Sequence, residues 1–228
     1  MSIMQDILVI AAHPDDEVLG CGATIKRFTM EGERVHIFWL GNGLAARGAI
    51  DPEEEEMLKQ AQGNVCRLLG AFPILDSEEH NVLPDNKFDS IPLLDIVKRI
   101  EAVIEAIQPE IIFTHSSKDL NVDHRMVAYA TITATRPCSC NVREIYQYEV
   151  PSSTEWAYGS HGDFRPNHYI DVHGTINSKL TAMALYDTEV REEPHPRSLN
   201  NLEALAIVRG SECGFKSAEA FEALRTTR

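Results

Sequence analysis

Residues 7–12, Ile-Leu-Val-Ile-Ala-Ala, form an apolar run with no polar alternation. A strand with one wet face alternates polar and apolar side chains. A strand that does not alternate is buried on both faces, so its sheet must carry a layer of structure on each side. Residues 6–12 therefore read as such a strand. The stretch DEVLGCGATIKRFTMEG then reads as a helix, with Val18, Leu19, Ala23, Ile25 and Phe28 as its apolar stripe and Gly32 as its stop. RVHIFWL (34–40) is a second strand, and GNGLAARG (41–48) a loop, because three glycines break any period.

Asp51 and Pro52 open the next helix as cap and first residue. The glutamates behind them complement its free N–H groups, which is reason enough for that acidic run. A short strand near 72–75, a helix over 91–107, a buried strand at 110–115 and a helix from His124 complete four strand–helix alternations. That pattern specifies an α/β fold, a mostly parallel sheet with helices on both faces. The second half is less regular, with strands expected at 143–150 and 167–172 and helices at 174–187 and 200–212. No Gly-, Pro- or Ser-rich linker or repeat interrupts residues 1–228, so one domain with an elaborated C-terminal portion is expected.

The 228 residues carry 21 Lys and Arg against 35 Asp and Glu, a formal charge of −14. So acidic a surface argues against nucleic acid and anionic membranes, while a small anion held by a few arginines stays compatible. The five cysteines are odd in number and show no C-x-x-C, as expected of a chain with reduced thiols. No basic, apolar leader opens the chain and no run reaches membrane-spanning length, so a cytoplasmic location is expected.

The first buried strand ends in His13, Pro14, Asp15, Asp16 and Glu17. Open α/β sheets bind ligands beyond the carboxyl ends of their strands, where the strand order reverses. In a doubly wound sheet the first and fourth strands meet at that point, which brings His124 and Asp123 from the fourth loop to His13, Asp15 and Asp16. Two histidines and a carboxylate form a common catalytic zinc set that also suits Fe(II). Asp15 and Asp16 are adjacent, so one is expected at the metal and the other is left for proton transfer. Helix capping alone would explain acids here. A histidine stiffened by proline is a poor cap and a good ligand.

The stretch AHPDDEVLGCGAT resembles the signature of the PIG-L/LmbE family of zinc-dependent N-deacetylases, which act on N-acetylglucosamine-type groups. DLNVDHR, EVPSSTEW, PHPRS and AEAF are similar to further family stretches, so the resemblance covers essentially the whole chain. It implies a Rossmann-like fold, zinc on His13, Asp16 and His124, and Asp15 as general base toward an activated water. Acetate and an amino sugar would be the products. The family's second histidine, three positions before the last ligand, is Asn121 here. An asparagine donates a hydrogen bond to the oxyanion but delivers no proton.

Asp123 is expected either to orient a histidine or to cap the next helix, and Glu17 to serve the helix start or to support the site from behind rather than to bind the metal. Arg47, Glu149, His195 and Arg197 are the expected substrate contacts, with Arg165 and Arg209 as further arginines and His115 near the metal by position. The expected partner is a small acetamido sugar or sugar nucleotide, and a homo-oligomer is compatible with the sequence. Two other readings stay open: a hydrolase for another N-acyl group or a non-sugar amide, and a non-catalytic sugar- or nucleotide-binding homologue. A dinucleotide-binding module is disfavoured, because Gly20 and Gly22 fall inside the helix pattern rather than at the turn.

Overall fold

The computed structural model describes residues 4–43, 52–74 and 83–227. Arg47, Asp51 and His80 lie outside them. The strands are β1 (Asp6–Ala11), β2 (Arg34–Trp39), β3 (Phe72–Ile74), β4 (Ile111–His115), β5 (Glu144–Tyr148), β6 (His168–Asp171) and β7 (Ala218–Thr226). The helices are α1 (Asp16–Glu31), α2 (Pro52–Leu69), α3 (Leu93–Ile107), α4 (Val122–Ala134), α5 (Ile176–Ala184) and α6 (Leu199–Cys213). One seven-stranded sheet runs β3-β2-β1-β4-β5-β7-β6. Its first five members are parallel, and β7 is antiparallel to both β5 and β6.

The unbroken apolar run of β1 is explained by its two faces. Ile7 and Val9 pack into a core with α1, α2, α5 and α6, while Leu8 and Ile10 pack into a second core with α3 and α4. All four are fully buried. β1 lies between β2 and β4, so the strand order reverses there, and the loops after β1 and β4 border one crevice. Among the described residues no helix is long and apolar enough to cross a membrane.

Strand β7 corrects the expected element list, which had nothing at 218–226. Its sequence, AEAFEALRT, is rich in Ala and Glu, residues depleted in strands. Tertiary context overrides that preference. The strand is inserted between β5 and β6, and residues Ala218–Glu222 are all buried. Buried Glu219 accepts from the N–H groups of Ala23 and Thr24 and from Lys179 Nζ, which also donates to the Leu19 carbonyl at 2.8 Å. These groups are freed by a kink in α1 at Cys21, where φ is −149°. Buried polar groups need partners, and here α5 and β7 supply them.

Candidate active site

The turn after β1 has an unusual backbone. Asp15 sits at φ 108°, a conformation that costs a non-glycine residue free energy and that clusters at functional sites. Glu17 holds this turn from below. Its fully buried carboxylate accepts from the Asp15 N–H at 3.1 Å, Trp39 Nε1 at 2.8 Å and the Tyr186 hydroxyl at 2.7 Å. Burial pushes its pKa up to about 7 against those three donors. Glu17 thus does more than start a helix. It ties the turn to β2 and to the segment after α5.

His13, Asp16 and His124 each offer one ligand atom, and these atoms lie within 4.8 Å of one another. Asp16 Oδ1 is 3.3 Å from His124 Nε2, and Oδ2 is 3.5 Å from His13 Nδ1. Oδ2 also accepts from the His13 N–H at 2.9 Å. The outer ring nitrogen of each histidine faces a carboxylate. His13 Nε2 is 2.9 Å from Asp123 Oδ2, which leaves Nδ1 for a cation. His124 Nδ1 lies 3.1 Å from Asp119 Oδ1, so Nε2 is its inner atom. A carboxylate behind each imidazole is the usual support of metal-bound histidines. The donor set and its support therefore fit a divalent cation such as zinc.

Asp123 answers the choice left by the sequence. Orienting a histidine is the role its contacts match, and that histidine is His13 rather than its neighbour His124; it does not cap α4. It bonds His13 and the backbone N–H groups of Asn86 and Phe88. The cap of α4 is Asn121, whose Oδ1 accepts from the Asp123 N–H at 2.8 Å. That bond leaves the Asn121 Nδ2 end as a donor, and the residue lines the cavity above the cluster.

Asp119 is the partner that sequence reasoning missed. Ser153 and Thr154 hydroxyls and the Asn121 N–H donate to it. Burial would raise its pKa, but His124 and the two hydroxyls outweigh burial and hold it at about 2. Its five-residue offset from His124 is the one signal for it along the chain.

His115 is fully buried beneath the cluster, its ring stacked on that of His124 at 4.0 Å. Its Nε2 accepts from the Ala12 N–H at 2.9 Å, so that atom is not free to bind metal. Burial and the neighbouring His124 hold it well below its ordinary pKa, hence neutral. Tyr148 supports His115 from the other side, with ring centroids 4.8 Å apart, and its hydroxyl donates to the Ile10 carbonyl. Gly20 makes room for this ring, since a Cβ there would come within 2.2 Å of it.

Charge shapes the cluster further. Burial raises Asp16, yet the charge of His124 and hydrogen bonds from His124 and His13 more than offset this and hold it well below the carboxylate range. Burial likewise works against protonated His13 and His124. Asp123 and Asp16 nevertheless raise His13 to about 9, and Asp16 and Asp119 raise His124 to about 10. Before a cation binds, both imidazoles are therefore protonated at neutral pH and must lose those protons to bind it. Zinc titrated into stripped protein at about pH 7 should release close to two protons. Affinity should rise about a hundredfold per pH unit up to about pH 9, more slowly from there to about pH 10, and level off above that. Calorimetry in buffers of different ionisation enthalpy reads the proton count, and a count near zero would contradict this electrostatic picture.

A cavity of about 610 Å³ opens over the cluster, with His13, Asp15, Asp16, Asn121, His124 and Arg197 at its inner end. Asp15 is buried, and burial pushes its pKa up despite Arg197, whose guanidinium donates to Oδ2 at 2.8 Å. Arg197 also bonds Ser152 Oγ and Glu189. It reaches the cavity as expected, though its guanidinium is engaged by the Asp15 carboxylate.

Two expected substrate contacts are not among the cavity's lining. Glu149 forms a two-pronged pair with Arg209, both bonds at 2.7 Å, which neutralises both charges elsewhere. His195 Nδ1 accepts from the Arg197 N–H and its ring packs edge-on to Trp156, so it shapes the Arg197 turn. Arg165 pairs with Asp163 in an exposed position.

Known proteins bear on this arrangement. The deacetylase YaiS of Escherichia coli K12, itself uncharacterized, is 30% identical over 156 residues, 65% of this chain and 76% of its own. The diacetylchitobiose deacetylase of Thermococcus kodakarensis is 24% identical over 232 residues, covering 95% of this chain and 82% of its own. The structure of GalB, the 4-carboxy-2-hydroxymuconate hydratase of Pseudomonas putida KT2440, superposes with a TM-score of 0.72 at 20% identity over 99% of both chains. The fold alone thus hosts more than one reaction. Most of β1, the His13–Glu17 turn and His124 fall within residues 8–135, and over those residues a family profile matches: the chain belongs to the PIG-L family, described as GlcNAc-PI de-N-acetylase.

Proposed function

We propose that the chain is a metal-dependent deacetylase that hydrolyses the acetamide of an amino sugar, releasing acetate and the free amine. The observation that carries this reading is the pairing of a supported His13–Asp16–His124 cluster with a buried carboxylate, Asp15, at one cavity end. Family membership and the sugar deacetylase among its relatives support the same reaction. His13, Asp16 and His124 would hold the cation, zinc being the natural choice and Fe(II) compatible with the same donors. Such an ion polarises an amide carbonyl and acidifies water toward about pH 7.

The chain's own residues do the rest. Asp15 accepts the proton of the attacking water as the new C–O bond forms. Burial makes it a better base than an exposed aspartate, and the Arg197 guanidinium holds its orientation. Asn121 Nδ2, fixed by the cap bond of its Oδ1, donates to the carbonyl oxygen as negative charge collects there. Asp15 then passes its proton to the amine nitrogen as the C–N bond breaks. With no histidine at position 121, Asp15 serves as both base and acid.

The test is acetate release by zinc-loaded protein from a panel of acetamido sugars. Activity should vanish on chelation and return with added zinc. Stoichiometric zinc binding with no acetate from any sugar would overturn the reading.

A further inference from the structure

The cavity is longer than its reactive end, and about 610 Å³ is more than one acetamido sugar needs. Its outer part runs between α2 and the segment after α5. From α2, Glu54, Met57, Ala61 and Asn64 recur at three- and four-residue spacing and so present one helix face to the cavity. Leu185, Asp187 and Thr188 form the facing wall. Met57 and Leu185 are 57% and 36% exposed, apolar surface set among carboxylates, amides and a hydroxyl. That combination matches a sugar ring, whose C–H face covers apolar side chains while its hydroxyls exchange hydrogen bonds with Asn, Thr and carboxylate groups.

The charge of the lining narrows the ligand. Six carboxylates face the cavity: Asp15, Asp16, Glu54, Asp85, Asp187 and Glu189. Among the described lining residues the one guanidinium is Arg197, which already bonds Asp15 and Glu189 at the inner end. The N-terminus of α2 could favour an anion, but Glu53, Glu54 and Glu55 already answer its dipole. A phosphate in the outer part would meet Glu54 and Asp187, without a described cation to hold it.

We infer that the outer part of the cavity, between α2 and the turn after α5, is a subsite for a second, uncharged or amine-bearing sugar unit, and that it disfavours phosphate-linked substrates. This rests on the deacetylase reading and adds the class of substrate. A nucleotide-linked sugar, left open by the sequence, is the class it ranks lowest.

The experiment compares N-acetylglucosamine, N,N′-diacetylchitobiose, N-acetylglucosamine 1-phosphate and UDP-N-acetylglucosamine with the zinc-loaded protein, by acetate release and by calorimetric binding. The disaccharide should exceed the monosaccharide in kcat/KM by at least about tenfold, with both phosphate conjugates below the monosaccharide. The double variant Glu54→Lys, Asp187→Lys should shift the ratio of phosphate conjugate to disaccharide at least about tenfold toward the conjugate. Both side chains are exposed, so this variant should fold. A conjugate processed as well as the disaccharide, or a ratio unmoved by the charge reversals, would overturn the subsite while the deacetylase reading stood. If no sugar releases acetate, the reaction assignment fails, and binding then decides the subsite alone: UDP-N-acetylglucosamine held as tightly as the disaccharide rejects it.

Discussion

Replacing Asp15 by Asn should lower kcat about 10²- to 10⁴-fold and leave zinc stoichiometry intact. The side chain keeps its shape and its place beside Arg197, but loses the ability to take a proton. In a family site with a histidine three positions before the last ligand, that group could share the proton work. Here Asn121 stands there, so Asp15→Asn has no substitute. Asn121→Ala should cost less, about 10²-fold in kcat, because it removes one donor to the oxyanion and no proton transfer. Acetate release at saturating substrate, with metal content measured on the same sample, checks both variants. Near-normal turnover in Asp15→Asn would remove the general base from the scheme. A fall that followed metal loss would place Asp15 among the ligands instead.

Glu17→Ala should be the most destabilising single change in the site. It strands three donors at once: Trp39 Nε1, the Tyr186 hydroxyl and the Asp15 N–H. Each buried donor left unsatisfied costs about 1–3 kcal/mol. They share one void that water can enter in part, so a total of about 3–5 kcal/mol is expected. Glu17→Gln has the same shape and keeps an acceptor for the indole. It should fold with a melting temperature close to the parent and keep most of its activity. The Asp15 N–H and Trp39 Nε1 bond the same carboxylate oxygen, so one Gln carbonyl oxygen serves both, and the Tyr186 hydroxyl turns to accept from the amide N–H₂. Thermal unfolding together with kcat separates shape from charge. A large loss of kcat in a stably folded Glu17→Gln would show that the site needs the carboxylate itself.

The two variants also mark where the sequence was legible. Asp15 and Asp16 stood out because they follow an apolar run, where a buried strand has to end. The division of their roles came from a family resemblance, and the geometry is compatible with it: Asp16 lies against both histidines while Asp15 faces Arg197. His124 could be placed beside them from topology alone, because adjacent strands at the point of reversal carry their loops to one crevice. Asp119 lies in the loop that leads to His124 and carries no such positional signal. Its task is set by the direction of the His124 ring, which no local pattern encodes. The resemblance of EVPSSTEW to a family stretch offers Glu149 to a sugar, whereas Arg209 of α6 takes both its oxygens.

By itself the sequence determined the parallel α/β sheet, the helix starts and the strand end on which chemistry collects. These follow from periodicity, capping and apolar runs, which act over one or two turns of chain. Only the tertiary structure decided which carboxylate supports which imidazole, that β7 enters the sheet against its own propensity, and that Arg197 reaches Asp15. Such contacts join residues far apart in the chain, 110 positions in the case of His13 and Asp123. A hydrogen bond depends on distance and angle in space, and neither is written in the spacing of residues along the chain.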